Sequence, residues 1–390
     1  MLDTQGIPAL VVYVQISQHR RSEQLLYTLV NGTIMQAATW HGQRDIRIDE
    51  KEAASVGRND VRVAVDTCGI CGSDLHEYTA GPIFIPEGEP HAVSDEKAPI
   101  TMGHEFSGVI DEVGDGVTDL NEGDPVAINP ILYCGECRQC RQGNYHICDS
   151  GGFVGLSGGG GGFAENVVVS AEKAVPLGED VPLEHGALVE PLSVGLHAVR
   201  RSGIQAGDAV AIFGSGPIGL SVIQCARAAG AGQIFVSEPR AARRERAADS
   251  GANHLIDPTE VDATDEIQSA TEGGVDAAFE VAGIEPTFNA ALKSTQPSGT
   301  ITVVSIWEET ASMPPNALVL GERTLTGTLA YLGGPRSGEE YGMVIDMLAE
   351  GMLDPEPLIT DRIGLDGIVD DGFEALLDKE SDQVKIFVKP

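Results

Sequence analysis

The sequence predicts an α/β protein in two parts, a β-rich, barrel-like half followed by a doubly wound parallel sheet. Three observations predict it. From Met35 to about Glu190, short strand-like runs are separated by Gly, Pro, Asn and Asp. From about Ala206 strands alternate with helices, the rhythm of a parallel sheet covered on both faces. At the head of that second part, Gly214-Ser215-Gly216-Pro217-Ile218-Gly219 lies between a strand and a helix. The 390 residues suffice for two domains, each with its own core.

Residues 1–34 do not resemble the rest of the chain. An apolar stretch, 7–16, precedes the basic His19-Arg20-Arg21, the reverse of a secretory signal. They are expected to be an upstream extension without function. A strand opens at Met35-Gln36-Ala37-Ala38-Thr39-Trp40 and turns at Gly42-Gln43; more strands are predicted over 46–48, 61–65, 108–113, 125–128 and 164–169.

The run 61–65 leads into Cys68-Gly69-Ile70-Cys71-Gly72-Ser73-Asp74-Leu75-His76, where a thiol, a hydroxyl, a carboxylate and an imidazole share nine residues. A strand ending in glycines holds such side chains at a fixed point while its backbone turns sharply. A cysteine with further ligands downstream suggests a metal, and Ser73 with His76 three residues on suggests a proton path. Alone, Cys-x-x-Cys reads equally as a redox motif or a packed thiol. The Pro-rich loop 81–99 is long enough to be functional.

His104 and Glu105, in Thr101-Met102-Gly103-His104-Glu105-Phe106, add a second imidazole and a carboxylate; Glu190 stands at the switch between the halves. His104 by itself reads as a satisfied core histidine. A thiolate, an imidazole and a carboxylate from three places would instead make a zinc site with one open position for a substrate oxygen.

Cys134-x-x-Cys137-x-x-Cys140-x(7)-Cys148 is the strongest local signal. Four thiolates in fifteen residues close a tetrahedron around Zn²⁺ and leave no open position, so this zinc is read as structural. An iron–sulfur cluster is the rival, but its usual spacings differ.

In the second half, strands are predicted over 209–213, 233–237, 275–280 and 300–305, and helices over 218–229, 240–249 and 285–294; a last strand spans 384–388. In the Gly214–Gly219 stretch the first glycine makes the turn, the second admits a pyrophosphate, and the third lets helix and strand pack closely. Glu238 ends the next strand, nineteen residues past Gly219, where a carboxylate accepts from ribose hydroxyls and repels a 2′-phosphate. NAD is favoured; Arg240, Arg243 and Arg244 nearby keep NADP open.

The chain carries 59 acidic against 25 basic residues, a net charge of −34. Such a field repels nucleic acid and anionic lipid, and no apolar run is long enough to span a membrane. Self-repulsion on that scale calls for screening, with a Debye length of about 3 Å at 1 M salt, so a cytoplasmic protein of a high-salt cell is expected. Seven cysteines, four of them clustered, fit metal thiolates in a reducing compartment better than a disulfide framework.

Taken together, these motifs resemble the zinc-containing medium-chain dehydrogenases, relatives of alcohol and sorbitol dehydrogenase, across nearly all of 35–390. Within that family, 71–78, 81–86, 101–108 and 153–163 most resemble the (R,R)-butanediol dehydrogenase branch. The resemblance implies a GroES-like catalytic domain over 35–190 and 329–390, with a structural-zinc lobe at 134–148, and a Rossmann NAD-binding domain over 191–328. It implies two Zn²⁺ per chain. Cys71, His104 and Glu190 would hold the catalytic one, with Glu105 as alternative ligand, and Cys134, Cys137, Cys140 and Cys148 the structural one.

Gly214, Ser215, Gly216, Pro217, Ile218, Gly219, Glu238 and Arg243 would bind the cofactor. Ser73 would take the substrate proton and pass it, through the nicotinamide ribose, to His76 and solvent. Asp74 would support a ligand histidine, and Cys68 and Cys225 would pack. The implied reaction interconverts a vicinal diol and a hydroxyketone, 2,3-butanediol and acetoin, by hydride transfer to NAD. Sorbitol, threonine or another secondary alcohol is the alternative, and an NAD-binding protein without catalysis the remote one. A homo-oligomer, dimer or tetramer, is usual in the family.

Overall fold

In a computed structural model, residues 34–334 and 339–390 are described; the expected extension 1–34 falls, save for Ile34, outside them. A hairpin of β1 (Ile34–Gly42) and β2 (Asp45–Glu52) begins the β-rich half. In β3 (Asp60–Gly69), Val61, Val63 and Val65 face inward, the period-two alternation of a strand with one buried face. The sharp turn expected next is confined to Ile70 and Cys71, because the chain is helical from Gly72: α1 spans Gly72–Ala80. Next come β4 (Ile100–Thr101), β5 (Glu105–Val113) and β6 (Pro125–Ile128). The short pair β7 (Ile131–Leu132) and β8 (Gly152–Phe153) brackets the four-cysteine lobe, and β9 (Asn166–Ser170) and β10 (Ala174–Pro176) complete this part.

The second part begins with α2 (Val189–Ser202). Its strands are β11 (Ala209–Phe213), β12 (Gln233–Ser237), β13 (His254–Ile256), β14 (Val275–Glu280), β15 (Thr295–Val303) and β16 (Thr324–Gly327). Between them run α3 (Pro217–Ala228), α4 (Ala241–Asp249), α5 (Ala263–Ala270) and α6 (Glu285–Ser294). All six strands are parallel, in the order β13-β12-β11-β14-β15-β16. Strand order reverses between β11 and β14, and a crevice for a ligand opens at such a point.

The tail returns. After α7 (Glu340–Ala349), β17 (Ile359–Gly364) and β18 (Lys385–Lys389) join the first half's main sheet, ordered β10-β6-β5-β3-β18-β17 with β9 also on β3. One core, around Trp40, Val63, Phe106 and Phe163, fills the β-rich half. Another runs from α2 and α3 onto β11 and β12 and reaches Tyr331 and Tyr341, knitting the two parts together. Among the described residues no helix is long and apolar enough to cross a membrane.

Candidate active site

Strand register brings distant residues together. In the β3–β5 ladder Gly69 opposes Glu105, and in the β18–β3 ladder Phe387 opposes Gly69. Cys71 thus lies just past the end of one strand where His104 and Glu105 begin its antiparallel neighbour. The Cys71 thiol, a His104 ring nitrogen and a Glu105 oxygen lie within 4.8 Å of one another. Glu190, in the first turn of α2, is not in that tight set but lines the same cleft with Cys71, Ser73, His76 and His104.

Helix α1 organises the cluster. Asp74 Oδ2 accepts from the Cys71 backbone N–H at 2.9 Å, while its Oδ1 faces His104 Nδ1 at 3.4 Å, both side chains buried. The other ring nitrogen, Nε2, is 3.1 Å from Ser73 Oγ on the cleft side. A carboxylate behind the imidazole sets its tautomer and presents the far nitrogen as a ligand. Further along α1, buried Glu77 accepts the backbone N–H groups of Ile83, Phe84 and Ile85, which holds the start of loop 81–99 in place with Phe84 in the cleft wall.

One essential partner escaped the sequence reading. Lys385, fully buried at the start of β18, reaches Glu105 at 2.5 and 2.8 Å and donates to the Ile70 carbonyl at 2.9 Å. Its only signal was a lysine in an apolar strand. Glu105 is thereby neutralised. Glu190 has no such ion pair among the described residues: burial first, and then the neighbouring Glu105, raise its pKa to about 7, against the pull of His104, Lys385 and the Tyr331 hydroxyl. A buried carboxylate, an imidazole with an outward nitrogen and a thiol form a donor set suited to Zn²⁺, and Glu190 is the carboxylate whose charge a cation would offset.

His76, one turn beyond Ser73, is half-buried at the rim, and its Nδ1 lies 2.6 Å from Glu308 Oε1, on the chain segment after β15. The cleft has a volume of about 280 Å³ and is walled from the other side by Ile218, Val281, Ala282 and Ser305.

At the switch point Gly214 adopts φ +106°, a left-handed conformation that favours glycine. A Cβ on Gly219 would collide with the Gly214 carbonyl, whereas one on Gly216 would meet nothing nearer than Arg243, at 3.9 Å. Open space at the middle glycine is what a pyrophosphate needs. Glu238 accepts from the Ser215 and Arg240 backbone N–H groups, each at 3.0 Å. The three nearby arginines are engaged, Arg240 with the Ser381 carbonyl, Arg243 with that of Gln383 and Arg244 with Asp257. Pro217 and Ile218 open α3.

In the lobe, the four sulfurs of Cys134, Cys137, Cys140 and Cys148 lie within 4.8 Å of one another. Two sulfur–sulfur distances, 3.5 and 3.9 Å, bracket the edge of a Zn–S₄ tetrahedron, about 3.8 Å for bonds of about 2.3 Å. Backbone N–H groups of Cys137 and Cys140 point at the preceding sulfurs. Such donors, from Cys140 and Asp149, lower the Cys137 pKa to about 6, toward the thiolate. Cys68 and Cys225 are buried in the two cores.

Comparison with known proteins gives the family. Residues 57–179 match the alcohol dehydrogenase GroES-like domain and residues 217–350 the zinc-binding dehydrogenases. The chain is 45% identical to (R,R)-butanediol dehydrogenase of Bacillus subtilis, over 91% of this chain and all of that one. Sorbitol dehydrogenase of the same organism is 33% identical, over 91% of this chain and 97% of the relative. The crystal structure of 2R,3R-butanediol dehydrogenase from B. subtilis superimposes with a TM-score of 0.85, covering 91% of this chain and 99% of that one at 45% identity. With its β-rich half, its parallel dinucleotide sheet and its buried thiol–imidazole–carboxylate cleft, the chain belongs to the zinc-binding alcohol dehydrogenase family.

Proposed function

We propose that the chain is an NAD-dependent dehydrogenase of small vicinal diols, interconverting 2,3-butanediol and acetoin. The observation that carries this is the cleft itself. It is small, and beyond the Cys71–His104–Glu190 cluster its wall is mainly apolar, with Phe84, Phe153, Leu156 and Leu329. A four-carbon diol leaves its methyl groups against such a wall, whereas a hexitol buries hydroxyls without partners, a cost of about 1–3 kcal/mol each. The named activity of the 45% identical relative points the same way.

Cys71, His104 and Glu190 would hold the catalytic zinc, with Glu105 kept from it by Lys385; the four lobe cysteines would hold a second. When bound, the catalytic zinc supplies Lewis acidity toward the alcohol oxygen. Ser73 Oγ lies beside His104 Nε2 at 3.1 Å. With that lone pair given to the metal, the serine hydroxyl would be free to receive the substrate's proton and pass it, through the nicotinamide ribose, to His76 at the rim and on to water. Val281, Ala282 and Ile218 would supply an apolar wall for the nicotinamide of a bound cofactor. NAD is preferred over NADP because Glu238 caps the glycine turn and the arginines around it are engaged elsewhere.

The same reading takes 35–190 with 329–390 as the catalytic domain and 191–328 as the dinucleotide domain, supported by β17 and β18 completing the first sheet. Assembly as a homo-oligomer is supported by β16, an edge strand beside exposed Val319 and Leu320, and a reducing, cytoplasmic setting by the clustered thiols of the lobe. The −34 charge supports a high-salt setting, and loss of the folded state on dialysis below about 1 M salt is the expected sign of it.

Formation of NADH with (R,R)-, (S,S)- and meso-2,3-butanediol, sorbitol and threonine tests the substrate. A rate dominated by (R,R)- and meso-diol is expected. Preferential turnover of sorbitol or threonine would overturn the diol assignment and leave the chemistry.

A further inference from the structure

The segment after β15 carries Glu308 across the cleft from the dinucleotide half to His76 on α1, where the carboxylate meets Nδ1 at 2.6 Å. Three features distinguish this contact from an ordinary surface ion pair. First, Glu308 sits on an anchored stub. Ser305 donates to Glu280, a fully buried carboxylate that also accepts the Ala282 and Gly283 N–H groups at 2.9 Å. Trp307 packs edge-on against Phe288, ring centroids 5.9 Å apart at 84°. Second, the neighbours of Glu308 in sequence, Ser305 and Ile306, line the cleft that His76 lines from the opposite side. Third, the bonded atom is Nδ1. An ionised carboxylate only accepts, so Nδ1 must carry the hydrogen, and in the neutral ring Nε2 is then the free lone pair.

We propose that Glu308 is a positioning residue for the proton path, holding His76 in the Nδ1–H tautomer so that Nε2 is available to accept the proton released by the alcohol. The inference rests on the dehydrogenase reading above and adds to it a residue that acts through another and touches no reacting atom. In each oxidation the alcohol loses one proton and one hydride. The hydride would carry its electron pair to the nicotinamide of a bound NAD, and the proton, passed on from Ser73 through the nicotinamide ribose, would bond to Nε2 and make an imidazolium held by Glu308. Loss of that proton to water at the rim restores the neutral Nδ1–H ring. With Glu308 63% exposed and His76 32% exposed, the pair adds little to stability, and its value lies in orientation.

Glu308→Gln, Glu308→Asp, His76→Asn and the His76→Asn/Glu308→Gln double variant are to be compared as zinc-loaded enzymes with saturating NAD. For Glu308→Gln a fall in kcat of roughly 5- to 10-fold is expected, with KM within about twofold, part of the general-base contribution being lost. A larger solvent deuterium isotope effect and partial rescue by added imidazole should accompany it, and Glu308→Asp should retain most of the rate. In the His76→Asn background Glu308→Gln should cost nothing further. Independent, additive losses, or an unchanged kcat and isotope effect, would overturn the proposal.

A second measurement needs no turnover. ¹⁵N NMR of histidine-labelled protein, with the His76 signals identified by their absence in His76→Asn, should report Nδ1–H in the parent and a shift toward Nε2–H in Glu308→Gln. A parent already in the Nε2–H form would sink the proposal even if every alcohol is oxidised. The expected tautomer in a protein that oxidises none would sink the dehydrogenase reading alone.

Discussion

The four-cysteine lobe and the cleft both gather metal donors, yet they are built in opposite ways. All four lobe donors come from fifteen consecutive residues, pre-set by the chain's own N–H···S bonds. The cleft draws Cys71 from just past β3, His104 and Glu105 from the start of β5, Glu190 from α2 and Lys385 from β18, positions up to some three hundred residues apart. The lobe can therefore fold around its ion. The cleft must be folded first, with Glu105 paired to Lys385 while burial pushes the unpaired Glu190 toward its neutral form.

Cys140→Ser should produce the largest effect. Structural zinc contributes on the order of 10 kcal/mol in small modules, so loss of one zinc per chain and a thermal midpoint lower by more than about 10 °C are expected. Metal analysis and calorimetry measure both, and the contrast breaks if both zincs leave together. Cys71→Ser should instead lower kcat/KM by on the order of 10³-fold, several kcal/mol of Lewis-acid stabilisation, with the midpoint within a few degrees of the parent.

Lys385→Met strands Glu105 in the core and should cost about 3–5 kcal/mol in denaturant titration. Adding Glu105→Gln removes the stranded charge and should recover much of the loss, a non-additivity that the lobe cannot display.

The smallest effect sharpens the contrast through pH. Burial pushes the Glu340 carboxyl up, but its hydrogen bonds from His197 and Leu332 and the charge of Arg200 outweigh that and hold it below its ordinary 4.5. A carboxylate depressed in the fold contributes stability that is present above its unfolded pKa and is lost as pH falls through its folded one. Glu340→Gln should therefore cost about 2 kcal/mol at pH 7, the gap to the parent narrowing below pH 4.5. A gap independent of pH would contradict the assignment.

Much of this site was legible before folding, unevenly. Ser73, Asp74 and His76 share one helix with Cys71 at its N-cap, so their grouping is local even though the helix itself was read as a turn. Glu238 was found by its distance from Gly219. By contrast, Glu190 was placed ahead of Glu105 by resemblance alone, because Lys385, the partner that neutralises Glu105, is brought to it only by strand register. Glu308 was invisible for the same reason: it meets His76 across 232 residues.

By itself, then, the amino-acid order determined the α/β class, the glycine turn, the acidic surface and the lobe, all set by periodicity, composition or short spacing. Only the tertiary structure decided which carboxylate is already neutralised, which is buried without an ion pair, and what faces His76 across the cleft. Those outcomes depend on burial and on ion pairs a few ångströms long, and both exist only once distant strands have found their register.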